Sequence, residues 1–163
     1  MHRNVVGAVI ALCLAAPAWA IWVHVPFEEL VLRSDAALIG TLSSVDEHTE
    51  GGIDYGKGLL LVEKVVSGTL TLGDELVLRW SNESDLDCPR VEHRSHAGVR
   101  ALWLVTLEVD GTIRADYPRR FLPLSDAAAV QQAVTELRRA LRRKDDRRLR
   151  TVLAELSSLG ATQ

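Results

Sequence analysis

Cysteine is scarce in this chain, with two residues among 163, which excludes a small domain held together by a disulfide framework. Zinc-finger, P-loop, Rossmann and metallopeptidase motifs are missing, as are the Gly-x-Ser-x-Gly and Ser-x-x-Lys patterns of serine enzymes. Neither sign of charge dominates, because 19 basic and 22 acidic residues leave a formal net charge of −3. Whole-chain electrostatics therefore favour neither a nucleic-acid binder nor a strongly acidic, solvating protein.

The composition that remains is that of an ordinary globular protein. Hydrophobic residues make up 47% of the chain and charged residues 25%, which excludes disordered, collagen-like and coiled-coil proteins. A chain of this length forms one domain by default. Since no motif assigns an activity, function has to be sought in local patterns of residues.

The longest apolar run lies near the start of the chain. Arg3 precedes an apolar segment over residues 5–16, and the Ala-Trp-Ala sequence that ends at Ala20 fits the cleavage pattern of a secretory signal peptide. The run is shorter than the roughly 20 residues that span a bilayer. We therefore predict that residues 1–20 are a cleaved signal peptide and that residues 21–163 form a single periplasmic or secreted domain without a transmembrane segment.

Most of this predicted domain carries strand patterns. The Asp110-Gly111 pair predicts a two-residue β-hairpin, and Gly51-Gly52 marks another turn. Five strands joined by glycine-bearing turns favour a five-stranded OB-like barrel over about residues 27–124. Alternating or continuous apolar residues predict these strands at Ala36–Asp46, Leu59–Val66, Glu75–Trp80, Val99–Leu107 and Ile113–Tyr117.

Helical patterns flank the strands. Pro26 and the two glutamates after it favour a short N-terminal helix over residues 27–32. Beyond the strands, Ser125 is the predicted N-cap of one helix, and Asp145 and Asp146 are predicted to cap a second. The fold class predicted is therefore mainly β, of the α+β type, with a C-terminal helical hairpin over residues 125–159.

Three segments resemble a known group of proteins. Residues 27–42 (FEELVLRSDAALIGTL) resemble a helix-to-strand segment of secreted bacterial single-domain proteins, and residues 62–68 (VEKVVSG) and 98–104 (GVRALWL) resemble two of their strands. That group is similar to OB-fold, netrin-like domains, which include tissue inhibitors of metalloproteases. The resemblance covers about residues 27–107 and implies the fold and a bacterial origin. It does not imply metalloprotease inhibition, because the predicted mature chain begins with Ile21 and not with cysteine.

The longest stretch without periodicity runs from Ser81 to Gly98. It contains Cys88, His93 and His96 together with two aspartates, and these are ligand types for zinc or copper. One hypothesis is a metal site at Cys88, His93 and His96; another is a hydrolase with Cys88 as nucleophile and one histidine as base. The third is a solvated loop with incidental histidines, and under it no cofactor is required.

A second local feature is the segregation of charge. Between residues 138 and 150 eight basic residues stand against two aspartates, whereas residues 21–137 hold ten basic and nineteen acidic residues. This segment is a solvated helical face, an anionic-surface contact or a nucleic-acid patch; expected secretion and the lack of aromatics among the arginines disfavour the last. The residues predicted for an anionic contact are Arg138, Arg139, Arg142, Arg143, Arg147 and Arg148.

These patterns predict a secreted or periplasmic binding or interaction module. Its partner is expected to be an unidentified protein or an envelope component and not a nucleic acid, and no catalytic residue is assigned. The alternative is a metal-binding protein or a Cys/His hydrolase that uses the Cys88, His93 and His96 loop. A binding module needs an exposed groove or patch, whereas a hydrolase needs the cysteine and a histidine to meet beside a concave pocket.

Overall fold

The computed structural model describes residues 25–70, 75–83 and 90–161, so the predicted signal peptide and Cys88 lie outside the described residues. The fold of this part is mainly β, with a short N-terminal helix and two C-terminal helices, which confirms that part of the predicted fold class. The elements are α1 (Phe27–Arg33), β1 (Ala36–Glu50), β2 (Ile53–Ser67), β3 (Glu75–Glu83), a 3-10 helix (His93–His96), β4 (Arg100–Leu107), β5 (Ile113–Arg114), a second 3-10 helix (Pro118–Arg120), β6 (Phe121–Pro123), α2 (Ala127–Leu141) and α3 (Arg147–Ala161).

Five of the strands form a closed ring. β1 pairs antiparallel with both β2 and β4, β2 pairs with β3, and β4 pairs with β5. A parallel pairing of β3 with β5 closes the ring through only two residue pairs, Leu78 with Ile113 and Arg79 with Arg114. β6 pairs antiparallel with β4 and is not part of the ring. We call the short parallel pairing of β3 with β5 the seam.

Alternation along the strands produces two cores, because successive side chains of a strand point to opposite faces. Leu38 and Trp103 belong to a core that all five ring strands line, whereas their neighbours Ile39 and Leu102 belong to a second core beneath the helices. The helices contribute their apolar faces to that second core. Its buried helical residues are Phe27, Leu30, Val31, Val130, Ala133, Val134, Leu137, Ala140, Leu149, Val152 and Leu156.

The first hairpin extends further than the sequence predicts. β1 continues to Glu50 and β2 begins at Ile53, and Gly51 and Gly52 join them with φ angles of 58° and 79°. Only glycine adopts such angles without strain, so this pair makes the two-residue turn. The distal part of the hairpin is polar on both faces and is held by backbone pairing, which leaves no periodic apolar signal in the sequence.

The second predicted hairpin turn is wrong in length. Glu108 and Thr112 are joined by an amide-to-carbonyl hydrogen bond of 2.9 Å, so three residues and not two form the loop. The amide of Gly111 donates to the carbonyl of Glu108 at 3.1 Å, and Gly111 has a φ of 84°. A type I turn followed by a left-handed glycine gives this three-residue hairpin.

Short polar side chains cap the two C-terminal helices. Asp126, and not the predicted Ser125, is the N-cap of α2, because its Oδ1 accepts from the amide of Ala129 at 2.7 Å. The predicted capping of the last helix is confirmed for Asp146, whose Oδ1 accepts from the amide of Arg148 at 2.8 Å. Within the part of the chain that the structure describes, no helix is long and apolar enough to cross a membrane.

Candidate functional site

A cleft of about 500 Å³ opens beside the distal end of the β1–β2 hairpin. Three segments that are far apart in the sequence form its walls: the end of the hairpin, the second half of β3, and the segment before and within the first 3-10 helix. Its lining residues are Glu47, His48, Thr49, Asp54, Tyr55, Trp80, Asn82, Arg90, Val91, Glu92, Arg94 and Ser95.

The floor of the cleft depends on a glycine. Trp80 of β3 lies directly across from Gly56 of β2, and a Cβ atom on Gly56 would come within 2.0 Å of Cε2 of the indole. The bare glycine backbone therefore lets the indole lie flat against β2. Trp80 is buried and also meets the ring of His93 edge-on, with ring centroids 4.9 Å apart.

An exposed aromatic pair stands at the end of the hairpin. His48 and Tyr55 are directly paired across β1 and β2, and their rings stack at 5.5 Å with an interplanar angle of 23°. Tyr55 keeps 37% of its surface exposed, which is unusual for so large an apolar group. This pair offers a ring face to a ligand in the cleft.

Four of the five charged side chains that line the cleft form two ion pairs, and the fifth is the exposed carboxylate of Glu92. Arg94 Nε lies 2.6 Å from Glu47 Oε2, and Arg90 Nη1 lies 3.4 Å from Asp54 Oδ2. Both ion pairs join the segment around residue 90 to the hairpin. Both arginines of the cleft are therefore already paired, and an anionic ligand gains little by entering it.

Asn82 fastens the same segment to β3. Its side-chain amide nitrogen donates to the carbonyl of Val91 at 3.0 Å, and its oxygen accepts from the amide of Val91 at 2.8 Å. The side chain thus supplies both hydrogen bonds that a neighbouring strand would supply. It fixes one wall of the cleft beyond the two residues of β3 that pair with β5.

His93 is buried among aromatic rings, with 1% of its surface exposed. Its Nε2–H donates to the carbonyl of Ala115 at 2.9 Å, and its Nδ1 is buried without a hydrogen-bond partner. Burial lowers the pKa of His93 from 6.5 to about 4; the bond to Ala115 opposes this shift, and repulsion from His96 adds to it. The imidazole is therefore neutral at neutral pH, and Nδ1 carries a free lone pair.

His96 lies next to His93 on the same 3-10 helix. Its ring stacks on Phe121 with centroids 4.0 Å apart and planes 9° apart, and 6.0 Å separates its centroid from that of His93. Its Nδ1 is also buried without a hydrogen-bond partner. Burial lowers the pKa of His96, and the charge of Glu92 partly opposes that shift. Both rings border a second cavity of about 190 Å³.

The structure thus brings two of the three predicted metal ligands together. Among the described residues, no group of three histidine, cysteine, aspartate or glutamate side chains is placed to hold a metal ion. The third predicted ligand, Cys88, lies outside the described residues, as does the predicted nucleophile of the hydrolase hypothesis, which is the same residue. A base with a pKa as low as that of His93 is poorly matched to proton abstraction at neutral pH.

The residues predicted for an anionic contact lie where α2 ends and α3 begins. Arg138, Arg139, Arg142, Arg143 and Arg147 are exposed. Arg148 differs from them, because its guanidinium turns inward and donates to the backbone carbonyls of residues 34 and 35. It therefore holds the C-terminal end of α1 against the start of α3.

No pattern in the sequence predicts the cleft. Trp80 was predicted as a strand residue and Tyr55 was assigned to no element, and the polar end of the hairpin has no pattern that connects it to residues 90–95. The one signal in the sequence is an aromatic residue, Tyr55, three positions after the Gly51-Gly52 turn. When the chain was compared with models of protein families and with curated proteins, nothing matched.

Proposed function

We propose that this protein is a secreted or periplasmic binding module, formed by one domain whose strand ring is an OB-like barrel, and that the cleft holds its ligand. The position of the cleft carries the proposal. Barrels of the OB type bind oligonucleotides and oligosaccharides on the face of their second and third strands and at the loop between the first two. Here β3 and the end of the β1–β2 hairpin line the cleft.

The chemistry of the cleft favours an uncharged oligosaccharide. The ion pairs of Arg90 and Arg94 compensate four of the five charged residues of the cleft, and a neutral ligand leaves these pairs undisturbed. The exposed ring of Tyr55, steadied by its stack on His48, can pack against the apolar face of a sugar ring. The polar groups around it supply hydrogen bonds to hydroxyl groups. A mostly apolar ring face with a few polar groups is the usual composition of a ligand site.

The test is a titration followed by amide chemical shifts. Isotope-labelled full-length protein is titrated with cellotetraose, maltotetraose and chitotetraose, and separately with an uncharged capped tetrapeptide. We expect one of the saccharides to shift amides at residues 47–55, 80–82 and 90–95. Tyr55→Ala should weaken that binding about tenfold, since it removes the stacking surface. Leu61→Ala, which removes an exposed side chain of β2 outside the cleft, is the control.

Two results would contradict the proposal. In the first, the saccharides shift no amide of the cleft, or they shift amides elsewhere. In the second, the tetrapeptide binds in the cleft and the saccharides do not, which would leave a binding module with a different ligand. Equal weakening by Tyr55→Ala and Leu61→Ala would also remove the assigned role of the aromatic pair.

A second candidate function is metal binding by Cys88, His93 and His96. The observation that favours it is the pair of buried Nδ1 atoms without hydrogen-bond partners. In His93 the opposite ring nitrogen donates to a backbone carbonyl, the arrangement that orients many metal-ligating histidines. Zinc and cuprous ions are the ions that a thiolate and two imidazoles suit best.

Calorimetric titration of the full chain with Zn²⁺, and with Cu⁺ under reducing conditions, tests this candidate. We expect binding of one ion that the double variant Cys88→Ala, His96→Gln abolishes. His48→Gln, which removes an exposed histidine at the end of the hairpin, should leave it unchanged. Equal and negligible uptake by the wild-type and the double variant would end the hypothesis.

A further inference from the structure

The basic residues of the protein fall into two groups. Each of the ten lysines and arginines described before residue 138 has an ion pair, or in the case of Arg120 a hydrogen bond, with another described residue. Beyond that point, the side chains of six exposed basic residues have no hydrogen bond or ion pair with any residue that the structure describes. We call these six residues the cationic corner: Arg138, Arg139, Arg142, Arg143, Lys144 and Arg147.

The two aspartates within this segment do not compensate the cationic corner. Asp145 Oδ1 pairs with Arg150 at 3.1 Å, and Asp146 is occupied in capping α3. Arg138 and Arg139, in the last turn of α2, each precede another arginine by four residues, so like charges gather at the C-cap and just beyond it. Such pairs destabilise a helix, and the negative end of the helix dipole offsets the effect only in part. This arrangement weakens the helix and therefore points to an external partner.

The chemistry of the cationic corner fits phosphate groups. Five of its six residues are arginines, whose planar guanidinium groups bind phosphate oxygens in pairs. Only Arg139 and Arg143 border a depression, of about 210 Å³, in which Arg119, Glu28 and Glu136 also take part. The other four cations project into open solvent at the end of a helical hairpin. An extended anionic plane can meet all of them together, whereas a small ligand cannot.

We propose that the cationic corner docks the protein on a bilayer that contains anionic phospholipid, with the phosphate groups of the lipids as its direct partners. The connection between α2 and α3, residues 142–146, contains no apolar side chain, so the contact stays at the level of the headgroups. The remainder of the described chain is rich in acidic residues and is repelled by the same surface. The protein is therefore held by this end, and the contact is sensitive to salt.

Co-sedimentation of the full chain with vesicles tests the proposal. Vesicles of phosphatidylcholine alone are compared with vesicles of phosphatidylcholine and phosphatidylglycerol, at low and at physiological salt. The apolar segment at residues 5–16 partitions into both vesicle types alike, so the measured quantity is the difference between them. We expect binding that requires phosphatidylglycerol and that weakens as salt is added.

A matched pair of variants assigns the binding to the cationic corner. Replacing Arg138, Arg139, Arg142 and Arg143 by glutamine should weaken the binding at least a hundredfold, because each basic residue near an anionic bilayer contributes about fivefold. The control removes the same charge from paired residues through Arg33→Gln, Lys57→Gln, Arg79→Gln and Arg100→Gln. Circular dichroism checks that both variants fold.

Three outcomes would overturn the proposal. The first is equal binding to the two vesicle types. The second is equal weakening of vesicle binding in the two quadruple variants, which would show that binding depends on net charge and not on the position of the cations. The third is binding to dextran sulfate that the cationic-corner variant loses, without any binding to the anionic vesicles, which would assign the surface to an acidic polysaccharide.

Discussion

His93 shows how one buried side chain ties several elements together. It sits on the first 3-10 helix, meets Trp80 of β3 and Trp103 of β4 edge-on, and donates to Ala115 just after β5. Burial among these aromatic rings favours the neutral imidazole, and the bond to Ala115 opposes that effect only in part. Protonation would place a charge inside an aromatic core. The free-energy cost of burying that charge lowers the pKa of His93 to about 4.

The stability of the protein should therefore fall in acid through His93. The unfolded histidine binds a proton near pH 6.5 and the folded one only near pH 4, so protonation favours the unfolded chain between these values. The contribution is complete above pH 6.5, is lost as the pH falls toward 4, and the loss amounts to about 3 kcal/mol. Urea unfolding at a series of pH values, with EDTA present, measures it.

The control for this experiment is another histidine. His93→Gln keeps a donor for Ala115 but cannot titrate, so its stability should be lower at pH 7 and should lack the steep component between pH 6.5 and 4. His48→Gln alters an exposed histidine and should follow the wild-type curve. A His93→Gln curve parallel to the wild type throughout would assign the acid sensitivity to the carboxylates.

Neighbouring arginines at the start of α3 have opposite roles. The Arg148 guanidinium donates to the carbonyls of Ser34 and Asp35, which directly follow α1, whereas the Arg147 guanidinium has no partner among the described residues. Arg148→Gln should lower the free energy of unfolding by about 2 kcal/mol, because carbonyl groups lose a charged donor. Arg147→Gln should change it by less than about 0.5 kcal/mol. Urea unfolding of both variants compares them, and equal values would contradict the assignment.

At the scale of elements, apolar periodicity in the sequence predicts the strands and helices that bury a face of their side chains. The alternation in β4, with Trp103 inside the ring and Leu102 beneath the helices, is directly visible in the sequence. The same holds for the apolar faces of α2 and α3. The distal half of the β1–β2 hairpin was not predicted, because backbone pairing holds it and its side chains are polar on both faces. The length of such a strand is therefore set by the strand with which it pairs.

The contact between β2 and β3 depends on Gly56. Gly56→Ala should lower the free energy of unfolding by at least about 2 kcal/mol, since its Cβ would overlap the buried Trp80 indole. Gly160→Ala is the matched control, because its Cβ would come no closer than 3.6 Å to Val130. In a helix this change should be neutral or stabilising by less than about 1 kcal/mol. Thermal unfolding measures both; a tolerated alanine at position 56 would mean that the indole can move.

At the scale of the whole molecule, the ring is thinnest at β5, which pairs with β3 at the seam and with β4 on its other edge through two residue pairs each. Two residue pairs join β3 to β5, while thirteen join β1 to β2. Side chains reinforce the seam: Asp116 accepts from the Ser81 amide at 3.0 Å and from Arg114 Nε at 2.8 Å. The pairings of β5 should therefore open before the rest of the sheet.

Hydrogen exchange tests this order of opening. Asp116→Ala should speed exchange about tenfold at residues 113–116 and leave the β1–β2 hairpin unchanged, because about one hydrogen bond's free energy is lost locally. Asp46→Ala removes the partner of Lys57 outside the seam and serves as control. A uniform increase over all strands would show that the ring opens only as a whole.

The candidate site could not be predicted from the sequence because its parts are far apart in the chain. Its walls come from three segments, and what joins them is a set of pairings such as Arg94 with Glu47, separated by 47 residues in the chain. None of these pairings has a period or a fixed spacing. The charge segregation of the helical hairpin was visible because it is local in sequence. Its division into a partnered Arg148 and unpartnered neighbours required the tertiary structure.

The cationic corner gives the molecule a strong electric asymmetry that its net charge conceals. A chain with a formal charge of −3 is expected to pass through a cation-exchange column at neutral pH. Six unpaired cations at one end should nevertheless anchor it to the resin, while its acidic remainder retains it on an anion exchanger. Retention on both resins in the same buffer, with the first lost in the variant that replaces four arginines, would reveal this polarity during purification.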